Sequence, residues 1–243
     1  MRILVTRPPV EAEGTARRLR ALGHEPLITP VMRIVPLGID LTGLAADAVA
    51  LTSAHAAEFL AAKDVAALSA LPAFAVGARS AEAARRAGFR DVRAGSGDEA
   101  ALAPYIASAL PGGAQVLYLA GRERKGDLPG LLHGQGLVCT VLETYDSVAA
   151  TALDAQAVAA LAAGKLDAVL HYSARSAALL LELADAAGVA AGLSELLHLC
   201  LSAAVAARLS QLRPGHVRVA ARPDEPALFE LLPPLRGEAS PSA

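Results

Sequence analysis

The chain of 243 residues predicts an α/β protein of two similar lobes, each a five-stranded parallel sheet flanked by helices. Short apolar runs ending in small or polar residues alternate with longer Ala-, Leu- and Arg-rich stretches of helical period, as expected for parallel strands buried on both faces. The chain also repeats itself. Ser53-Ala54-His55-Ala56-Ala57 is echoed by Ser173-Ala174-Arg175-Ser176-Ala177, and Ser80-Ala81 by Ser202-Ala203. Val92-Arg93-Ala94 is echoed by Val217-Arg218-Val219, and Asp98-Glu99-Ala100-Ala101-Leu102 by Asp224-Glu225-Pro226-Ala227-Leu228. Four echoes in one order at similar spacings indicate two related halves.

In order, Arg2-Ile3-Leu4-Val5-Thr6 opens the chain as a strand over 2–6, followed by a helix over 10–22 and a strand over 26–30. Apolar runs place strands over 47–52, 73–76 and 91–93, with helices over 54–62, 79–87 and 98–109 after their small-residue ends. Gly95-Ser96-Gly97 is a turn between two of these elements. Strands over 115–119 and 137–143 enclose a helix over 127–135. The remaining strands fall at 167–172, 198–201 and 217–220, with helices at 154–163, 174–187, 203–211 and 225–232. From Gly237 onward the chain is small and polar, and reads as a disordered tail.

These ten strands divide into two sets of five only if residues 1–35 join 147–243 in one discontinuous lobe, with 38–143 as an inserted lobe. The chain then crosses between lobes near 31–37 and near 144–147, and both crossings look extended enough to form a two-stranded linker. Two similar lobes place the working site in the cleft between them.

Composition narrows the function. Hydrophobic residues make up 54% of the chain, enough for two cores, and their richness in alanine favours closely packed helices. A net charge of −2 leaves no global footprint for nucleic acid or an anionic membrane. The N-terminal strand lacks a signal-peptide layout. The longest uncharged run, from Ala100 to Gly121, is broken by Pro104, Pro111 and a Gly pair, so it does not span a membrane. Cys139 and Cys200 lie far apart without metal or redox spacing and read as free thiols in a reducing cytoplasm.

In open parallel sheets, ligands bind beyond the carboxyl ends of the strands. Those ends carry Thr6-Arg7-Pro8, Thr52-Ser53-Ala54, Gly77-Ala78-Arg79-Ser80, Ala120-Gly121-Arg122, Tyr172-Ser173-Ala174 and Leu201-Ser202-Ala203. Helix N-termini with hydroxyls and scattered arginines make anion-binding rims, suited to a ligand with several carboxylates or phosphates. Taken singly, Ser53, Ser80, Ser173 and Ser202 are also explained as helix N-caps. The cluster Arg122-Glu123-Arg124-Lys125 fits either a solvated loop or contact with an acidic ligand. Tyr145 stands at the second crossing, where its phenol either packs the hinge or donates to a leaving group. No phosphate-loop or dinucleotide fingerprint, histidine metal spacing, G-x-S-x-G elbow or Ser/His/acid order occurs. His55 and His171 fall near the expected cleft.

Thr52-Ser53 after a strand, Val76-Gly77, Tyr118-Leu119-Ala120-Gly121-Arg122 with Leu128, Leu132 and Gly136, Glu143-Thr144-Tyr145, Tyr172-Ser173 and Leu201-Ser202-Ala203 together resemble the uroporphyrinogen-III synthase family. The similarity runs from Val5-Thr6-Arg7-Pro8 to Asp224–Leu228. His55 stands where the family often has Asn, and Ser80 and Ser202 where Thr is frequent. The resemblance implies two flavodoxin-like lobes and a reaction in which hydroxymethylbilane loses water and cyclises with inversion of its last pyrrole ring. It implies no cofactor and no metal. Tyr145 would assist departure of the hydroxyl, while Arg7, Thr52, Ser53, Gly77, Ser80, Gly121, Arg122, Ser173 and Ser202 would hold the eight substrate carboxylates. A cytoplasmic monomer is expected, with transient contact with hydroxymethylbilane synthase as the implied protein encounter.

Two other readings compete. A non-catalytic, two-lobed anion-binding or sensor module would show the same rims, usually with an export signal or a DNA-binding segment. A glycosyl- or phosphoryl-transfer enzyme would need a carboxylate for metal or ribose at a strand end, which no cleft position clearly offers.

Overall fold

The computed structural model describes residues 1–124 and 126–233; the tail expected to be disordered and Lys125 lie outside the described residues. The strands are β1 (Arg2–Val5), β2 (Glu25–Ile28), β3 (Met32–Pro36), β4 (Ala48–Leu51), β5 (Ala73–Ala75), β6 (Val92–Ala94), β7 (Gln115–Gly121), β8 (Val138–Ala149), β9 (Ala168–His171), β10 (Leu197–Cys200) and β11 (Val217–Val219). The helices are α1 (Pro9–Ala21), α2 (Ala54–Glu58), α3 (Ala62–Leu68), α4 (Ala78–Ala87), α5 (Glu99–Ala109), α6 (Leu128–Gly134), α7 (Ala155–Ala162), α8 (Ala174–Ala186), α9 (Ala190–Ser194), α10 (Ala203–Ala206) and α11 (Glu225–Phe229).

The chain separates into two compact units, Met1–Arg33 with the chain from Ala149 onward, and Ile34–Val148. The first holds the sheet β11-β10-β9-β1-β2 and the second is built on β3-β8-β7-β4-β5-β6. The ladders β2-β1-β9-β10-β11 and β8-β7-β4-β5-β6 are parallel, with Leu4 paired to Leu27 on one side and Val169 on the other. The central strands are buried along their length, which is why they read as unbroken Ala/Val/Leu runs rather than alternating ones.

Matched through their echoes, β9, β10, β11 and α11 correspond to β4, β5, β6 and α5. β1 and β2 then correspond to β7 and β8, and both units share one strand order. In the first unit that order in chain sequence is 2-1-3-4-5, the flavodoxin arrangement. The second unit is the same arrangement cut open at a different loop, so its last two strands are the first unit's first two.

Two elements differ from the sequence reading, whereas the two extended crossings pair as expected. The expected helix 54–62 stops at Glu58 and restarts as α3, and α9 occupies the equivalent place in the other unit. The expected helix 203–211 is one turn of α-helix followed by a 3-10 turn over Ala207–Leu209. The first crossing forms β3, a sixth strand in the second sheet, and β8 runs through the second crossing. Ala150 N–H donates to Val31 C=O and Leu37 N–H to Thr144 C=O, both at 2.9 Å, so the two extended segments run antiparallel.

In the second unit, residues alternate along β7. Leu117 and Leu119 join Val49, Leu51 and α2 in one core layer, whereas Val116 and Tyr118 join Phe74, α5 and α6 in the other. In the first unit Leu4 and Val169 pack with α7, α8 and α9, and Ile3, Val5 and Leu170 with α1 and α11. Leu119 and Leu170 are fully buried, and truncating either to Ala costs about 3 kcal/mol.

Candidate active site

β4 and β7 are neighbours in the second sheet, yet α2 packs on one face of it and α6 on the other. The chain leaves these strands in opposite directions, so a crevice opens past their carboxyl ends at the point where strand order reverses. A cavity of about 570 Å³ lies there. Thr52 and Ser53 line it from the end of β4, Tyr118 and Gly121 from β7, and Tyr145 from β8. Asp98 and Glu99 enter from the start of α5, and Arg124 from the loop after β7.

Each side chain is placed by local structure. Ser53 is extended (φ −140°) and caps α2, accepting from the His55 N–H at 3.3 Å. The Thr52 hydroxyl sits 2.6 Å from the Tyr118 phenol. Burial raises the Tyr118 pKa further than its bond to Thr52 lowers it, so the phenol stays neutral. An irregularity between Ala120 and Gly121 shifts the β7–β8 register and sets Gly121 opposite Tyr145. The Tyr145 ring then lies over Gly121, and His55 meets it edge-on at 5.6 Å and 72°. Asp98 caps α5 by accepting from Ala101 N–H at 2.7 Å, and so brings Glu99 to the crevice.

Thr52, Ser53, Gly121 and Tyr145 are thus brought together in one cavity. Gly77 is one step removed, at the start of α4, within 3.6 Å of the Gly97 backbone if it bore a Cβ. It takes the capping position that the sequence assigned to Ser80, which lies buried within the first turn of α4. Arg122 lies outside the cavity lining, with its guanidinium 3.1 Å from Glu143 and 3.0 Å from Asp146. The bond to Glu143 raises the Arg122 pKa and lowers that of Glu143. Arg124 lines the cavity instead, donating to Gly121 C=O at 3.0 Å.

In the first unit the corresponding reversal lies between β1 and β9, and a carboxylate of the chain fills it. Glu225 accepts from the Tyr172 phenol at 2.5 Å, from Thr15 at 2.7 Å and from Arg7 at 3.2 Å, and pairs with Arg18. Burial alone would raise the Glu225 pKa, but these hydrogen bonds and the two arginines together bring it down. Arg7 also stacks on the Tyr172 ring at 4.1 Å. A substrate carboxylate reaching Arg7 would have to displace Glu225. Ser173 caps α8, accepting from Ser176 N–H at 3.0 Å, whereas Ser202 stands at the start of α10 without a side-chain capping bond.

His171, expected near the cleft, is fully buried against His198. The thiols of Cys139 and Cys200 are pushed up by burial to about 11 and about 12, which keeps them protonated and inert. Among the described residues no three His, Cys, Asp or Glu side chains gather as a metal site, and no helix is long and apolar enough to cross a membrane. Glu99 and Tyr118 were not among the sequence-predicted site residues, and Arg124 entered only within the basic cluster 122–125, read as either a solvated loop or a contact for an acidic ligand. The echo of Asp98-Glu99 in Asp224-Glu225 marked a helix start in each half, and that signal could have directed attention to both glutamates.

A family model described as uroporphyrinogen-III synthase HemD matches residues 13–230. The fold is similar to that of uroporphyrinogen-III synthetase from Helicobacter pylori, with a TM-score of 0.66 and 17% identity over 95% of this chain and 98% of that one. It is also similar to a mutant uroporphyrinogen III synthase from Thermus thermophilus, with a TM-score of 0.53 and 19% identity over 95% of this chain and 96% of that one. No curated protein sequence matches the chain. Because the family model spans nearly the whole described chain, through the cavity and both echoed halves, the protein belongs to the uroporphyrinogen-III synthase family.

Proposed function

We propose that this chain is a cyclising hydro-lyase that dehydrates hydroxymethylbilane and closes it, with its terminal pyrrole inverted, to uroporphyrinogen III. The family match over residues 13–230 carries the reading. The cavity supports it, since it offers hydroxyls and one arginine suited to substrate carboxylates, with the Tyr145 phenol in the same lining. Thr52, Ser53 and Arg124 supply hydrogen bonds and charge to side-chain carboxylates, and the bare backbone of Gly121 makes room for the Tyr145 ring that lines the cavity. That phenol donates to the hydroxyl as the carbon–oxygen bond breaks. The resulting azafulvene is stabilised by its own pyrrole nitrogen, so most of the protein's contribution is to hold the two ends of a flexible chain in reach of each other. We read the enzyme as a cytoplasmic monomer that needs no cofactor.

Hydroxymethylbilane generated in situ is incubated with the protein, and the product isomers are separated by chromatography. Uroporphyrinogen III is the expected product; the type I isomer alone, at the rate of spontaneous closure, would sink the proposal.

A further inference from the structure

Glu99 and Glu225 hold the same place in the two units, first residue after the cap of the echoed helix, yet their surroundings are opposite. Glu225 is locked by two arginines, a threonine and a tyrosine. Glu99 lines the same cavity as Tyr145, and its Oε2 is buried without a hydrogen-bond partner among the described residues. That oxygen is pressed against the backbone at Gly126, where a Cβ would find no room. Around the carboxyl stand Asp98 on its own helix, Asp127 at the start of α6, the Tyr118 phenol on β7, Tyr145 on β8, and Glu123 and Arg124 from the loop after β7. Burial and the negative charge of Asp127 raise its pKa by more than the Leu128 N–H and the Tyr118 phenol lower it. A carboxyl with one buried, unbonded oxygen beside other carboxylates favours its neutral, proton-bearing form, whereas Glu225 is held as a carboxylate by its arginines.

We propose that Glu99 is the proton carrier of the reaction, a catalytic acid and base in addition to the Tyr145 donor; this rests on the synthase reading above. The neutral carboxyl gives its proton to the hydroxymethyl oxygen as the carbon–oxygen bond breaks. Water leaves, the pyrrole nitrogen lone pair takes up the electron deficit, and Glu99 remains as carboxylate. After ring closure the pyrrole carbon that formed the new bond still carries one hydrogen too many. It loses this as a proton to Glu99, which restores both the aromatic pyrrole and the starting acid. One water is released and no proton is gained or lost overall.

The experiment compares wild type, Glu99→Gln and Glu99→Asp for uroporphyrinogen III formation across pH, with thermal melts of each. The Gln variant keeps the shape and removes the transferable proton. Its kcat should fall about 100-fold with KM changed less than threefold, and the alkaline limb of the wild-type profile, set by ionisation of Glu99, should vanish. The Asp variant should retain part of the rate and an alkaline limb at shifted pH. Wild-type kcat and an unmoved alkaline limb in a folded Gln variant would overturn the proposal. If the Gln variant does not fold, the Asp variant decides, because an unmoved limb there has the same meaning. Failure of wild type to make the type III isomer would overturn the synthase reading itself, a different outcome from normal wild-type turnover with indifferent Glu99 variants.

Discussion

The ring of Tyr145 lies over Gly121 so closely that a Cβ on Gly121 would stand 2.7 Å from Tyr145 Cζ and 2.9 Å from its hydroxyl oxygen. No side chain larger than hydrogen fits beneath the phenol. The glycine is needed for this approach, since its φ is outside the range that disfavours L residues.

Gly121→Ala should therefore displace the phenol by about 1 Å and lower kcat for the type III isomer about 10- to 100-fold. The melting temperature should change little, because the ring borders a cavity and has room to move. Steady-state kinetics with a thermal melt checks this, and an unaffected kcat would dissociate ring placement from turnover.

Tyr145→Phe keeps the ring and removes only the donor. We expect kcat to drop about tenfold, with residual type III product, since the azafulvene stabilises itself and placement of the substrate persists. Wild-type turnover would remove the hydroxyl from the mechanism.

Glu225→Ala leaves Arg7, Thr15 and Tyr172 without their shared acceptor, so unfolding in urea should require about 2 to 3 kcal/mol less. Formate, small enough to enter the vacated space, should restore part of the loss at millimolar concentrations where chloride does not. Equal stability with and without formate would mean that the three groups find other partners.

The imidazoles of His171 and His198 set a pH dependence of stability. His198 donates from Nε2 to Leu193 C=O at 3.0 Å, so its Nδ1 is an acceptor and takes the Nε2 proton of His171 at 2.9 Å. Burial lowers the His171 pKa to about 3 and the His198 pKa to about 4. Below pH 6.5 the unfolded chain takes up protons that the folded chain refuses. The folded state is therefore fully favoured above pH 6.5 and weakens as pH falls towards 4, by up to about 2.7 kcal/mol per pH unit. Urea titrations between pH 7.5 and 4.5 measure this slope, and His171→Leu combined with His198→Leu should flatten it.

The linear pattern alone determined the class of fold. Continuous apolar runs for β4 and β9, a Ser cap before α2 and α8 and an Asp cap before α5 and α11 are local signals, each spanning a few residues. The sequence also marked Thr52, Ser53 and Gly121 because strand ends carry ligands in open parallel sheets, and Tyr145 by its place at the second crossing and by the family resemblance. Long-range structure decided the rest. The sequence expected the two extended crossings to pair, but the register of β3 on a segment more than a hundred residues away is something no local pattern of Met32–Pro36 records. Folding brought Glu225 against Arg7, and Glu143 with Asp146 against Arg122, partners that the sequence around either arginine does not announce. Glu99 and Glu225 sit in near-identical local sequence, and only their packed neighbours, two arginines in one unit and Asp127 with a backbone wall in the other, give one a fixed charge and the other a proton to move. Charge state depends on burial and on partners distant in the chain, so tertiary structure alone settles it.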